Sequence, residues 1–173
     1  MSAGLDERVR LYEQQPLRQV AGETSRPGGM DLTERALRLC GLPPGARVLD
    51  VGCGSGTSVG YLTKNLGLRA IGLDLSERLL SEARGCDGHL LLLQAPGERL
   101  PLVNCCLDAV LAECTLSLMA DLGQALAECH RVLHPRGLLI VTDLYVRQAA
   151  GAATLHRLPL CSCLSGALPR QEL

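Results

Sequence analysis

The sequence has almost no aromatic residues: three Tyr, no Phe and no Trp in 173 residues. Stacked bases and aromatic cages for quaternary amines both need ring faces, so both modes of recognition are disfavoured. Charge of one sign is also missing. Seventeen Lys and Arg face eighteen Asp and Glu, for a net charge of -1, and no basic block or stripe stands out. Nothing electrostatic favours a nucleic-acid partner. No apolar run reaches membrane-spanning length, and Met1 to Arg10 is polar and charged, without the apolar region of a secretory signal. The nine Cys form an odd set with no regular disulfide spacing. These features point to a cytoplasmic, thiol-reduced protein with no membrane partner.

What is present is a core built from Leu, Val and Ala. Mean hydropathy is +0.17 and 47% of residues are hydrophobic, enough for one compact domain. Residues 1–29 are polar and weakly periodic, and end in the turn signal Arg26-Pro27-Gly28-Gly29. They are expected to form either a lid or a flexible segment. Asp31-Leu32-Thr33-Glu34 has the pattern of a helix N-cap, and Gly41 stops the helix that follows. From there strands and helices alternate. Strands are expected at 47–51, 70–73, 89–93, 107–112 and 138–142, and helices at 57–66, 76–84 and 122–133. Near-continuous apolar strands between helices imply a parallel sheet covered on both faces. The expected fold is α/β, a Rossmann-like doubly wound parallel sheet. Residues 30–146 form this domain. Residues 147–173 read as a truncated C-terminal segment with no convincing strand, and a helix is expected to begin near Ala167.

One loop carries most of the chemical information. Asp50-x-Gly52-x-Gly54-x-Gly56 follows a strand and opens a helix. Glycines there allow a tight turn and a close approach of the backbone to a ligand. A second strand ends at Asp74, where a carboxylate can accept both hydroxyls of a ribose. Glycines and an acid alone do not choose between cofactors. The dinucleotide fingerprint G-x-G-x-x-G/A would put its third position at Val59 or Thr57, depending on the starting glycine, and neither suits it.

The string Val48-Leu49-Asp50-Val51-Gly52-Cys53-Gly54-Ser55-Gly56 resembles motif I of class I S-adenosylmethionine-dependent methyltransferases. Gly72-Leu73-Asp74-Leu75-Ser76 resembles their second acidic loop, and Glu98-Arg99-Leu100-Pro101 the third. Glu128 to Gly137 resembles the helix-turn before strand five. The resemblance runs from about residue 28 to 145 and implies S-adenosylmethionine as cofactor. It places Asp50, Gly52 and Gly54 around the methionine part, Asp74 at the ribose, and Gly97 and Glu98 beside the adenine, with Cys53, Gly56 and Leu75 as further cofactor-binding candidates. Pro96 stands where many relatives have an Asp for the adenine amino group. The resemblance also implies an antiparallel pair of strands after strand five. No sequence remains for them, so the fold is expected to lack the last two strands. The natural chain is then longer, or a homodimer or partner chain covers the edge of strand five.

A small-molecule methyl acceptor is the function implied. Displacement at a sulfonium methyl draws much of its rate from positioning, so a general base is optional. Candidate substrate-side residues are Glu113 and Cys114 after strand four, Tyr145 after strand five, and Cys163. Glu113 reads either as a base or orienter, or as an acceptor for backbone hydrogen bonds. Cys114 to Leu118, Thr142 to Tyr145 and Cys163 to Leu168 resemble arsenite methyltransferases. That likeness puts Cys114 and Cys163 on arsenic-binding positions, and thiolates suit such soft centres. The chain has Arg26-Pro27-Gly28-Gly29 where that family has a further arsenic-binding Cys, so a three-thiolate site is not supported. The bland alternative is that both are small buried hydrophobes, as expected of Cys40, Cys86, Cys105, Cys106 and Cys129. Cys161-Ser162-Cys163 is too close for the usual zinc spacing, and no metal is expected. A cofactor-binding domain without activity is the non-enzymatic alternative.

Overall fold

The computed structural model describes residues 26–147 and 162–169, with residues 9, 11–14, 24, 155 and 157. Helix α1 (Gly29–Cys40) is followed by β1 (Arg47–Val51), α2 (Thr57–Lys64), β2 (Arg69–Asp74), α3 (Glu77–Cys86) and β3 (Leu91–Gln94). Then come β4 (Leu107–Glu113), a 3-10 turn (Leu116–Leu118), α4 (Leu122–Val132), β5 (Leu133–Thr142), β6 (Tyr145–Val146) and β7 (Leu168–Pro169). The main sheet has five strands in the order β3-β2-β1-β4-β5, all pairs parallel. The doubly wound α/β expectation is met.

Side-chain alternation along β1 divides the core. Val48 packs with Leu37, Val59, Leu62, Leu80 and Leu111 on the face covered by α1, α2 and α3. Leu49 and Val51 pack with Leu73, Leu107, Val110, Cys129 and Val132 on the face covered by α4. Leu and Val fill both layers, which is why the chain manages without large rings. Strand order reverses between β1 and β4, and a crevice opens beyond their carboxyl ends, the position at which such sheets bind ligands.

Several local expectations shift. α1 starts earlier than the Asp31 pattern indicated: its N-cap is Gly28, with a left-handed φ of 85° and no side-chain cap. Thr33, read as part of a capping pattern, is instead fully buried. β3 starts at Leu91 rather than His89. β5 takes in the Pro135-Arg136-Gly137 turn, at the cost of a register irregularity between Leu107 and Ala109. The segment after Tyr145 does contain a strand, since Leu168–Pro169 pairs in parallel with Tyr145–Val146 and replaces the helix expected near Ala167. Cys161 lies outside the described residues. β5 is a sheet edge, with Leu138, Leu139 and Val141 exposed. Among the described residues, no helix is long and apolar enough to cross a membrane.

Candidate functional site

The loop after β1 is shaped by its own backbone hydrogen bonds. Gly52 and Cys53 both donate N–H to the Leu73 carbonyl, at 2.7 and 3.0 Å. Gly52 has φ 77°, and a Cβ there would collide with the Thr115 side chain, so both conformation and space demand glycine. Gly54 has φ 55°, and a Cβ there would meet nothing within 4 Å, although the residue lines the crevice. Its side-chain position is therefore open space on the cavity wall. Gly56 caps α2 and faces away from the cavity, against Leu90 and Ala83.

Asp74, at the end of β2, fixes the loop. Its Oδ2 accepts the Gly54 N–H at 2.8 Å and its Oδ1 accepts the Ser76 N–H at 2.8 Å. Burial pushes its carboxyl up, against the pull of those hydrogen bonds. Ser76 caps α3 by accepting the Leu79 N–H, and donates its hydroxyl to Glu13 at 2.6 Å. Beyond β3, Ala95-Pro96-Gly97-Glu98 forms the next wall. A Cβ on Gly97 would stand 2.5 Å from Met119 Cε, so glycine lets the Met119 side chain close over this loop. Glu98 accepts the Ala120 N–H at 2.7 Å, which ties the wall to the segment before α4.

On the other side, Glu113 ends β4 fully inside the protein. Arg26 Nη2 lies 2.7 Å from its Oε2. The Thr33 hydroxyl reaches both of its oxygens, at 2.9 and 3.1 Å, Ser58 donates at 3.5 Å, and Thr142 donates at 3.3 Å. One carboxylate thus joins the N-terminal segment, α1, α2 and β5. Arg26 also hydrogen-bonds Thr33 and Ser58. Asp50 is buried near this cluster. Burial first, then the Glu113 charge, pushes its carboxyl up to about 7, and Arg26 opposes the shift.

Cys114 follows directly, in the left-handed region at φ 51°, unusual for a residue with a side chain. Cys114 and Cys163 are both buried. Hydrogen bonding between the two thiols raises the Cys114 pKa above the usual thiol range and lowers that of Cys163 to about 6. The Tyr12 hydroxyl also lowers the Cys163 value, while burial opposes both effects. Tyr12 Oη accepts the Cys163 N–H at 3.0 Å. Asp143 accepts the Ser117 N–H at 3.2 Å and its hydroxyl at 2.9 Å, holding the turn beside these thiols.

Of the expected site residues, Asp50, Gly52, Cys53, Gly54, Asp74, Leu75, Gly97, Glu98, Glu113 and Cys114 line one cavity. Cys163 is brought to it through Cys114 and Tyr12. Tyr145 is not among the lining residues and is 45% exposed, because pairing of β6 with β7 turns it outward. Gly56 is likewise outside, for the packing reason given above. Sequence reasoning missed Tyr12 and Met119, held Thr115 only within the Cys114 to Leu118 likeness, and read Arg26 only as part of a turn. The N-terminal segment offered no periodic signal to mark Tyr12.

The family model described as a methyltransferase domain matches residues 49–141. The chain belongs to the methyltransferase domain family. A malonyl-[acyl-carrier protein] O-methyltransferase of Serratia marcescens is 32% identical over 114 residues, covering 66% of this chain and 44% of that protein. The structure of an S-adenosylmethionine-dependent methyltransferase from Geobacter sulfurreducens, in complex with S-adenosyl-L-homocysteine, matches with a TM-score of 0.68 and 21% identity. That match covers 90% of this chain and 65% of that one. CrArsM, an arsenic(III) S-adenosylmethionine methyltransferase from Chlamydomonas reinhardtii, matches with a TM-score of 0.64 and 29% identity over 75% of this chain and 49% of that one. The chain spans 30% to 51% of the length of the curated relatives it matches.

The cofactor of this methyltransferase fold is S-adenosylmethionine, and the residues of the cavity fit it. Asp74 supplies a carboxylate suited to ribose hydroxyls. Gly54 leaves its side-chain space to a ligand. Leu75, Pro96 and Gly97, with Met119 closing over them, make an apolar slot suited to a flat base. Pro96 has no N–H or charge to offer the base, so contact there rests on packing and on the neighbouring backbone.

Proposed function

We propose that this chain is an S-adenosylmethionine-dependent methyltransferase acting on a small-molecule acceptor. The observation that carries this is the continuity of the cavity: it runs from Asp74 and the glycine loop to Cys114 and Thr115 without leaving the crevice between β1 and β4. Bound there, the cofactor supplies a methyl group on a positively charged sulfur. The chain's part is to hold the two reactants in line and keep water out. Asp74, Leu75, Gly97 and Glu98 line the adenosine side, and Asp50, Gly52, Cys53 and Gly54 the amino-acid side. Glu113 acts as a positioning residue: a carboxylate carrying Arg26, Thr33, Ser58 and Thr142 fixes the cavity floor and leaves little capacity for proton abstraction.

Incubation with methyl-labelled S-adenosylmethionine and panels of small thiols, amines and hydroxy acids tests this. The expected result is S-adenosylhomocysteine formed in step with a methylated acceptor. Cofactor binding with no turnover on any acceptor class would favour a non-catalytic cofactor-binding domain.

A second reading is favoured by one observation, the contact of Cys114 with Cys163 at the acceptor side of the cavity. Two adjacent thiols suit a soft, thiophilic acceptor of the arsenite kind. Cys114→Ser and Cys163→Ser should each abolish arsenite binding. Unchanged binding in both would reject the reading and leave the pair as packing.

We also place the protein in the cytoplasm, since none of its eight described cysteines is in a disulfide. Of the N-terminal residues described, Val9, Tyr12, Thr24 and Arg26 line the cavity and act in this proposal as part of a lid, with residues 30–146 as the cofactor domain. The exposed apolar edge of β5 is covered by a further strand, from a second copy or a partner chain. A monomer at all concentrations in light scattering counts against the second copy.

A further inference from the structure

We propose that Gly166 is a positioning residue for the acceptor end of the cavity: its missing side chain seats residues 162–167 on Ser117 and so sets the Cys163 sulfur against Cys114. This rests on the reading of the cavity as a methyl-transfer site and concerns its acceptor end, away from the adenosyl groups.

Two short segments meet at this end. One runs from Cys114 to Ser117, and its Cys114 and Thr115 line the cavity. The other runs from Cys163 to Gly166. They touch at both ends: Cys163 hydrogen-bonds Cys114, and Gly166 lies on the Ser117 backbone. A Cβ on Gly166 would collide with the Ser117 carbonyl oxygen. Gly166 does not have a left-handed φ, so space rather than backbone conformation demands glycine here.

Both sides of this seat are fixed. Asp143 accepts the Ser117 N–H at 3.2 Å and the Ser117 hydroxyl at 2.9 Å. Asp143 follows β5 directly, so the seat is tied to the sheet. Opposite it, Ser162 and Ser165 bridge each other. Ser165 Oγ accepts the Ser162 N–H and donates to the Ser162 carbonyl, each at 2.9 Å. The Gly166 N–H reaches the same carbonyl at 2.9 Å. Cys163 lies inside this closed turn, so it moves with Gly166. Beyond the turn, buried Ala167 and the pairing of β7 with β6 anchor the chain. A methyl on Gly166 needs about 3.5 Å from its neighbours. The turn would have to pivot off Ser117 about that anchor and carry the Cys163 sulfur away from Cys114. Tyr12 Oη, which accepts the Cys163 N–H at 3.0 Å, would lose its partner as well. A glycine kept only for packing would weaken the fold when replaced and leave the ionisation of the thiols unchanged.

The test is the pH titration of thiolate absorbance in the wild type, Gly166→Ala and Ser165→Ala, each read as the difference from its own Cys163→Ser variant. Three ionisable groups bear on Cys163: hydrogen bonds from Cys114 and Tyr12 lower its pKa, and the Asp143 charge raises it. In the wild type the transition falls at about 6. Gly166→Ala withdraws Cys163 from both donors and should raise the transition toward the ordinary thiol value of about 8.5, so the thiolate fraction at neutral pH falls by about tenfold or more. Ser165→Ala opens the turn without touching Ser117. It should raise the transition by less, and it decides the matter if Gly166→Ala does not fold. Calorimetry should find S-adenosylhomocysteine bound by the folded variants within about twofold of the wild type, because the adenosyl groups lie at the other end of the cavity. A transition unmoved in both variants, or missing from the wild type, would overturn the proposal, as would a shift seen only together with loss of S-adenosylhomocysteine binding. If the wild type binds no S-adenosylhomocysteine, the methyl-transfer reading falls, while the thiol comparison still judges Gly166.

Discussion

Gly52 and Gly54 are two residues apart in one loop, and replacing each with Ala should fail in different ways. At Gly52 the new Cβ meets a left-handed backbone, φ 77°, and the body of Thr115 as well. Left-handed strain costs about 1–2 kcal/mol, and forcing a methyl into packed atoms adds about 1–3 kcal/mol. The sum, about 2–5 kcal/mol, is a large share of the stability of a domain this size. At Gly54 the strain remains, φ 55°, but the Cβ meets no protein atom. Stability should fall by only about 1–2 kcal/mol, while the methyl occupies cavity space. Urea unfolding should thus rank Gly52→Ala as the less stable variant. Calorimetry should find S-adenosylhomocysteine binding weakened in Gly54→Ala although that protein is folded. Equal losses of stability, or full affinity in Gly54→Ala, would refute the assignment of one glycine to packing and the other to the ligand.

Two further outcomes follow from the charges. The Asp50 carboxyl sits at about 7, above its ordinary value, so the folded state holds that proton more tightly than the unfolded chain does. Its contribution is full at low pH and is lost as pH rises between about 4 and about 7, with a slope of up to about 1.4 kcal/mol per pH unit. Asp50→Asn should flatten that stretch of the stability profile in urea titrations at pH 5, 6 and 7; an unchanged slope would assign the titration elsewhere. Tyr12→Phe removes a hydroxyl that helps hold Cys163 down to about 6. The thiolate absorbance of the variant should rise at higher pH than in the wild type, and Cys163→Ser should remove that transition; a superimposable curve would exclude Tyr12 as a donor.

The alternation of strands and helices was legible because a parallel sheet buried on both faces needs apolar runs such as Val48–Val51 and Leu107–Ala112, and the sequence holds few other runs of that kind. The helix start at residue 76 was legible for a local reason: the Ser76 hydroxyl that caps it reaches only three residues on. What escaped was long-range. Thr33 looked like part of a capping pattern, yet its hydroxyl serves Glu113, eighty residues away. Arg26, ahead of Pro27-Gly28-Gly29, read as part of a turn, because the ion pair that pins it forms only when β4 is in place. The partnership of Tyr12 with Cys163 spans 151 residues and no local pattern carries it. The short β6–β7 pair was invisible because two residues give no periodicity. Asp74 and the glycine loop were found together because their spacing is set by one β-α-β unit.

One cavity carries the proposed chemistry, and its shape and lining suit an adenosyl amino acid. Titrating the wild-type chain with S-adenosylhomocysteine, and in parallel with NAD, tests this most directly. The expected result is one saturable site for S-adenosylhomocysteine, weakened when Asp74 is changed to Asn, and no heat from NAD. Absence of S-adenosylhomocysteine binding, or clear binding of NAD in its place, would contradict it.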